Sequence, residues 1–333
     1  MFERAWSLVT GAIAGAFASA QQTIFEAVVV PVLFALGMGN LLEDAYAATL
    51  WLIAGVAQIV VIATVIGTLQ RWRPVEPVTD RAGVRLDFAY TLIHRLGIFQ
   101  LALFFAVEPW WDAAFSRMHL AGLPTWQLDA AFAPWWPGVT DTAAFAFIVY
   151  LVAFDFVDYW IHRGQHGLRG WWALHALHHS QRQMTMWSDN RNHLLDSLMR
   201  DTILVLAARF IGVAPGQFIA LVAVTRLVES LSHANVRMSF GPIFERVLVS
   251  PRFHRLHHSI GLGHESNGRG SLGGHNFAVL FPVWDVLFRT ANFDDRYDAT
   301  GIRDQLAGQG GRDYGERFWR QQWLGLQRLV GRA

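Results

Sequence analysis

The chain has 333 residues and a formal net charge of +1, so its charge offers no electrostatic basis for binding nucleic acid. Hydrophobic residues make up 53% of it, including 15 Trp and 24 Phe, and this composition predicts an integral membrane protein rather than soluble domains. The absence of Cys excludes disulfides, Cys-ligated iron–sulfur clusters and thiolate-ligated haem.

Four apolar stretches are long enough to cross a bilayer, and we predict membrane spans at residues 24–42, 46–69, 86–107 and 142–161. Residues 1–20 superficially resemble a signal peptide with a small-residue cleavage site, but they lack a clearly positive start. We predict an interfacial helix there, with a cleaved signal as the alternative. The Trp- and Pro-rich residues 108–141 are predicted to form a loop with interfacial aromatic side chains.

The distribution of arginine predicts the orientation of the spans. Arginines concentrate in the connection 70–85 and after residue 162, whereas the connections 43–45 and 108–141 are mostly acidic. Because positively charged connections face the cytoplasm, these Arg-rich parts are predicted to be cytoplasmic. The four predicted spans alternate consistently with that assignment.

Eight histidines form three clusters with a spacing of three or four residues, which places each cluster on one helical face. The clusters are His162 and His166; His175, His178 and His179; and His254, His257 and His258. A lone histidine is usually a surface residue or a hydrogen-bonded core residue. Three such clusters in an apolar chain indicate a shared partner, since buried polar groups must be satisfied. Eight imidazoles exceed the four ligands of one tetrahedral zinc ion, so we predict two metals about 4–7 Å apart.

Five segments in fixed order resemble the fatty acid hydroxylase/sterol desaturase superfamily of integral-membrane di-iron oxygenases. They are HRGQH (162–166), HALHHS (175–180), SHAN (232–235), SPRFHRLHHS (250–259) and WDVLF (284–288). The resemblance covers about residues 142–292. It implies an all-α bundle of about four transmembrane helices with a cytoplasmic helical cap that carries a histidine-rich di-metal site.

The resemblance also implies the ligands of two iron ions. They are His162, His166, His175, His178, His179, His193, His233, His254, His257 and His258. His193 departs from the family pattern, because Leu194 stands where many members have Pro. Residues 274–278 keep Asn276 but lose the Asp, Tyr and Gly that members often carry around it. Zinc can replace iron in overexpressed protein, since it competes well for imidazole sites.

Metal-bound histidines normally donate their second N–H to an acceptor, and several carboxylates are candidates. The candidates are Asp155, Asp158, Asp189, Asp196 and Asp285. The resemblance favours Asp285, and we predict Asp285, Asn276 and Asp158 as active-site residues beyond the ligands. Glu229, one turn before His233, is either a further acceptor or a solvated side chain.

The remaining segments are predicted to surround this site. Residues 194–230 are apolar but interrupted by Gly212, Pro215 and Gly216, and each half of about 13 residues is too short to span a bilayer. Within them, Arg200, Arg209 and Arg226 also argue against lipid on all sides. We therefore predict a helical hairpin packed under the membrane that presents His233. The Gly-rich residues 260–275 are predicted to form a mobile connection, with His264 and His275 as loop histidines.

Three regions follow from this division of the chain. Residues 1–141 are predicted to form the N-terminal membrane helices and outer loop, residues 142–292 the catalytic region, and residues 293–333 an amphipathic tail. The tail places Trp319, Trp323 and Leu326 near one face. It is either a helix on the protein core or, as we favour, one in the membrane interface.

The sequence thus predicts a multi-pass membrane oxidoreductase that uses two iron ions and O2 to hydroxylate or desaturate an aliphatic position of a membrane lipid. The lack of Cys implies a separate electron-donor protein of the ferredoxin or cytochrome kind, and the histidine clusters are predicted to face the cytoplasm. The alternatives are a zinc-dependent membrane hydrolase, which would need fewer histidines, and a metal transporter, which would place its ligands within the spans.

Overall fold

The computed structural model describes residues 2–123, 125–261 and 273–332. Within these ranges the regular elements are helices, accompanied by one isolated bridge between Ser259 and Thr300, so the all-α prediction is confirmed. The chain divides into two compact units, Met1–Val60 with Leu92–Asp112 and Val61–Thr91 with Ala113–Ala333. The predicted region 142–292 falls within the second unit. The predicted Gly-rich connection, including His264, lies largely outside the described residues.

The N-terminal part of the chain contains two long apolar helical segments. The first comprises α1 (Phe2–Ile24), a π-helical turn (Phe25–Val29) and α2 (Val30–Ala35), and the second comprises α3 (Leu42–Val61), a π-helical turn (Ile62–Ile66) and α4 (Gly67–Trp72). Candidate membrane spans cover Ala14–Ala35 and Gly39–Trp72. The interfacial helix predicted for residues 1–20 is therefore not a separate element, because α1 continues directly into the first span.

The third predicted span, 86–107, is not a single helix. It is divided between α5 (Arg81–Arg95) and α6 (Ile98–Leu120). Gly97, between them, has a φ of +78°, a left-handed conformation that ends α5 and is readily adopted only by glycine. Helix α6 also extends into the predicted loop 108–141, where α7 (Leu128–Phe132) is a further short helix.

Helix α8 (Ala143–Gly167) is the third candidate span and carries the first histidine cluster at its C-terminal end. Thr142 begins it by accepting a hydrogen bond from the Phe145 backbone N–H, and apolar or aromatic residues then continue to Phe154, for about three turns. Among the described residues three helices are thus long and apolar enough to cross a membrane, compared with the four spans predicted.

Helices α10 (Leu194–Ile211) and α11 (Pro215–His233) form the predicted hairpin, but they are longer than predicted. They have 18 and 19 residues, or about 27–29 Å each at 1.5 Å per residue, because the arginines within them are partnered and do not end the helices. The Tyr150 hydroxyl donates to Ile211 O at 3.3 Å, and Gln165 donates to Asp196 at 2.7 Å, so α10 runs antiparallel to α8 along much of its length. The predicted length of about 13 residues per half was wrong.

A layer of ion pairs joins these three helices just below the histidines. The carboxylate of Asp158 on α8 accepts from Arg200 of α10 at 2.9 and 3.2 Å, and Arg200 also donates to Glu229 of α11 at 3.1 Å. Further from the histidines, an apolar cluster that includes Phe154, Leu204 and Leu221 fills the space between the helices. Each charge in the layer has a partner, as burial requires.

Five shorter helices complete the second unit: α9 (Arg169–His179), α12 (Gly241–Phe244), α13 (Pro251–His257), α14 (Val283–Leu287) and α15 (Phe318–Leu329). Helix α15 packs on α9, where Arg328 donates to the Ala173 carbonyl at 3.1 Å. Its buried Gln321 and Gln322 bond to the Tyr90 hydroxyl, whereas Trp319 and Trp323 are exposed. Both alternatives for the tail thus have support. It packs on the core, and its outer face has the composition expected at a membrane interface, a location that stays a prediction.

Candidate metal centre

The three histidine clusters are brought together by helix ends. Helix α8 supplies the first cluster, α9 the second, and α13 with the residue that follows it the third, while His233 is the last residue of α11. Ser250 begins α13 by accepting a hydrogen bond from the Phe253 backbone N–H, with Pro251 in its first turn. This start sets the helical phase that points His254 and His257 in the same direction.

Eight of the histidines form two buried groups. The first group is His162, His166, His179 and His257, and the second is His178, His233, His254 and His258. Within each group, one ring nitrogen per residue lies within 4.8 Å of the others, so each group could hold a metal ion. The groups adjoin, because the rings of His179 and His258 stack with their centroids 4.2 Å apart.

His175 lies outside both groups but beside them. Its ring centroid is 5.3 Å from that of His162, 5.1 Å from His166 and 5.1 Å from His179. Its Nδ1 is 3.0 Å from Asp196 Oδ2, and its buried Nε2 has no hydrogen-bond partner. This nitrogen is therefore available to a further ligand.

The structure does not bring His193 into either group, which corrects its prediction as a ligand. His193 is the N-terminal cap of α10, where its Nδ1 accepts from the Leu195 backbone N–H at 3.1 Å. Its Nε2 is then the protonated nitrogen and donates to the Gln322 carbonyl of α15 at 2.8 Å. A side chain at Gly325 would clash with the His193 ring, so the glycine allows this close approach. His193 joins α10 to α15.

Backbone carbonyls fix the protonation of three histidines in the two groups. His162 Nδ1 is 2.8 Å from Phe277 O, His257 Nδ1 is 2.7 Å from His275 O, and His233 Nδ1 is 2.7 Å from Glu229 O. Because a carbonyl only accepts, Nδ1 carries the proton in each neutral ring and Nε2 presents a lone pair to the interior. Glu229 thus serves His233 through its backbone, whereas its carboxylate binds Arg200.

Burial keeps the second group neutral. It lowers the pKa of His178, His254 and His258 well below the ordinary value, an effect reinforced by the neighbouring imidazoles, and it also lowers the pKa of His233. Neutral imidazoles are the form that binds metals. His162 Nε2 and both nitrogens of His258 are buried without hydrogen-bond partners. Lone pairs that converge in this way without enough donors fit metal ions better than mutual hydrogen bonding.

Among the predicted carboxylates, Asp196 binds a clustered histidine, His175, through its side chain. Besides His175, it accepts hydrogen bonds from Gln165 Nε2 and Trp171 Nε1, each at 2.7 Å. Asp155 instead accepts from the backbone N–H groups of Leu280 and Phe281, and Asp158 is engaged by Arg200.

Asp285 and Asn276 act through the backbone rather than on histidine side chains. Asp285 accepts from the backbone N–H groups of Phe277 at 2.9 Å and Ala278 at 2.8 Å, and so holds the peptide whose carbonyl binds His162. Asn276 donates to Phe253 O at 2.9 Å and has a φ of 62°, which asparagine tolerates. Both are positioning residues.

Replacing Asp285 by asparagine is expected to lower activity or metal affinity about 10–100-fold. The amide nitrogen would oppose one of the N–H donors of Phe277 or Ala278 and loosen the carbonyl that holds His162. Retained metal during titration with a chelator measures the effect, with the exposed Asp294→Asn as the control. Full occupancy and activity, with only about 1 kcal/mol of lost stability, would confine Asp285 to a structural role.

Two aromatic rings beside the site were not predicted. The ring of Phe277 lies 5.9 Å from His162, 5.3 Å from His166 and 5.8 Å from His257, measured between centroids. Trp172 lies 5.0 Å from His166 and 5.4 Å from His179. The sequence could have indicated these two residues only by their closeness to predicted site residues. Phe277 directly follows Asn276, and Trp172 precedes His175 by one helical turn.

Comparison with known proteins identifies the part of the chain that contains this site. Residues 147–290 match the family described as Fatty acid hydroxylase. An ornithine lipid hydroxylase, OlsE, from Rhizobium tropici is 31% identical over 159 residues, which are 48% of this chain and 45% of the relative. An alkylglycerol monooxygenase from Danio rerio is 26% identical over 137 residues, 41% of this chain and 28% of the relative.

The matched segments thus cover less than half the length of each relative, and no solved structure matches the chain. The family match nevertheless contains all ten histidines that the resemblance implies as ligands, together with Asp285. The two relatives align over segments of similar size. His193 is one of these ten, although the structure gives that residue a capping role. The predicted resemblance is thus confirmed for residues 147–290, which match the fatty acid hydroxylase family.

Proposed function

We propose that the two histidine groups hold two iron ions and that the protein hydroxylates an aliphatic carbon of a membrane lipid. The observation that carries this proposal is the pair of adjoining, fully buried groups of four imidazoles each. His175 is assigned as an additional ligand, because its unpartnered Nε2 lies beside the first group. His193 is not included.

The bound iron would supply the binding and reductive activation of O2, for which imidazole ligands with open positions are suited. The overall reaction consumes the lipid C–H bond, O2, two electrons and two protons, and it yields the alcohol and one water. A zinc hydrolase needs one metal with about three protein ligands and a water-activating carboxylate. Eight converging imidazoles exceed that requirement, which favours the oxygenase.

The chain's own residues would hold the ligands and shield them from water. The carbonyls of Phe277, His275 and Glu229 orient three imidazoles through Nδ1 and leave Nε2 for the metal. Asp196 does the same for His175 through its carboxylate. The rings of Phe277 and Trp172 cover the first group and limit access of bulk solvent to a reactive centre.

The substrate class is proposed from the membrane character of the chain and from its relatives. Three helices are suited to cross a bilayer, and α8 delivers His162 and His166 at the end of its span. The relatives are named as a hydroxylase of ornithine lipid and a monooxygenase of alkylglycerol, and both names denote insertion of oxygen into a lipid. Hydroxylation is therefore favoured over desaturation.

The electrons would come from a separate protein of the ferredoxin or cytochrome kind, because the chain has no Cys to ligate an iron–sulfur cluster. This requires the histidine groups to face the cytoplasm, as the arginine distribution predicts. A reporter fused to the C-terminus is expected to be active in the cytoplasm. Activity on the outer side of the membrane would contradict this orientation.

Mass spectrometry of lipids tests the reaction itself. Membranes that contain the protein, supplied with a reducing system and isotopically labelled O2, are expected to accumulate a lipid that has gained one labelled oxygen atom. The matched control is the His258→Ala protein in the same membranes. Release of headgroups or acyl chains without O2 would support the hydrolase instead, and metal uptake into vesicles without any lipid change would support the transporter.

A further inference from the structure

The outward face of α8 is an apolar stripe. Ile148, Val152, Phe156 and Trp160 recur every four residues and are all exposed. Because α8 is a candidate membrane span, this stripe is the part of the helix that would face lipid. Its last member, Trp160, is only two residues before His162.

Helix α14 lies against the end of this stripe. The ring of Trp284 packs on Phe156 with centroids 4.9 Å apart, and Phe288 packs on Trp160 at 5.0 Å. Asp285, on its inner side, is fully buried. Its outer side exposes Val283, Val286 and Leu287, so α14 continues the apolar surface beyond α8.

A second short helix extends the same surface. Helix α12 and the turn after it expose Ile243, Phe244 and Val247, the first two by about 70%. The Val249 backbone N–H donates to Leu280 O at 2.8 Å, which joins this segment to the chain leading into α14. Exposed large apolar side chains on two neighbouring helices form a larger apolar patch than singly scattered surface residues would.

Arginines border this apolar surface. Arg163 lies over the Trp160 ring at 5.2 Å and Arg246 over the Phe293 ring at 4.7 Å, while Arg289, two residues after the end of α14, is exposed. An apolar surface edged by arginines is typical of a helix immersed at a bilayer interface, where guanidinium groups reach lipid phosphates. A soluble partner would not require continuity with the lipid-facing stripe.

We propose that α12 and α14 are immersed in the bilayer and contact the acyl region of the leaflet on the histidine side. The occupant of this surface is lipid. Asp285, on the inner side of α14, accepts a hydrogen bond from the Phe277 backbone N–H, and the Phe277 carbonyl in turn accepts one from His162. One hydrogen-bonded layer therefore separates the immersed surface from the proposed metal ligands. This placement goes beyond the proposed reaction and does not depend on it.

Site-directed spin labelling tests the placement, and the absence of Cys allows single-cysteine variants without background. The variants Val286→Cys and Ile243→Cys would be labelled in phosphatidylcholine vesicles, with Ile148→Cys as the lipid-facing reference and the exposed Ala307→Cys as the aqueous reference. Collision rates of each nitroxide with O2, which partitions into lipid, and with a water-soluble nickel chelate would be compared. The measurement requires no turnover, so its outcome is independent of the proposed reaction.

The labels at 286 and 243 are expected to favour O2 over the nickel chelate to the degree seen at 148. Preference for the nickel chelate, as at 307, would place the surface in water and overturn the proposal. Protection from both reagents would show that protein covers the surface, and that result would also overturn it. Dipolar broadening between labels in the protected case would identify the cover as a second copy of this chain.

Discussion

Replacing His258 by alanine should abolish lipid hydroxylation and reduce bound iron from about two ions per chain to about one. His258 is completely buried, has two unpartnered nitrogens and belongs to the second group, while its ring stacks on His179 of the first. Loss of a ligand is expected to exceed the roughly 10–100-fold cost of losing a residue that merely orients one. Elemental analysis of purified protein gives the iron content, and labelled lipid product gives the activity.

The control is His193→Ala, since this histidine is also buried but caps α10. It should keep both irons and lose about 1 kcal/mol of stability, as is typical of a removed cap. If His193→Ala loses iron while His258→Ala keeps it, the assignment of the two groups is wrong. Equal iron contents in both variants would show that His258 is not a ligand.

Asp196→Asn should reduce activity about 10–100-fold while the protein remains folded. One carboxylate oxygen serves Gln165 and Trp171, and the other accepts from His175 Nδ1. An asparagine that keeps the first two bonds turns its NH2 towards His175. The imidazole would then move its proton to Nε2, the nitrogen proposed to bind the metal, and lose its ability to bind there.

The control for this change is Asp129→Asn, which alters another carboxylate that accepts a hydrogen bond, here from the Tyr150 hydroxyl at 2.7 Å. Tyr150 is twelve residues before His162 on α8, or about 18 Å along the helix. Iron content and kcat/KM should match the unchanged protein. If Asp196→Asn also matches it, the carboxylate serves only folding, and the orientation of His175 must come from packing.

The candidate site was the most predictable part of the molecule, because helical spacing alone places histidines on one face. The structure brings together the eight histidines in the two groups and His175 beside them. All of these except His233 come from the three clusters that helical spacing predicts. The position of His233 came only from the resemblance to a family. Partners of the ligands were harder to predict, since three of them are backbone carbonyls and any residue type can supply a carbonyl.

Two failures of prediction have the same physical origin. The hairpin was predicted to have halves of about 13 residues, yet its helices continue through Arg200 and Arg226. Each of these arginines is paired with an acidic residue distant in the chain. His193 was predicted as a ligand from its sequence position, yet it bonds to α15, some 130 residues later. In both cases tertiary partners decided the outcome.

The bond between Asp158 and Arg200 has a mechanical consequence. It fixes the register of α10 along α8, because a slip of one turn would separate the Asp158 carboxylate from the Arg200 guanidinium by about 5.4 Å. The same slip would carry Asp196, one turn before Arg200, away from His175. Leaving either charge unpaired in this layer would cost about 3–5 kcal/mol, so one register is strongly preferred. The ion pair therefore sets the relative position of the helices that carry His162, His166 and Asp196. The geometry of the histidine groups thus depends on two charged residues that are not members of either group.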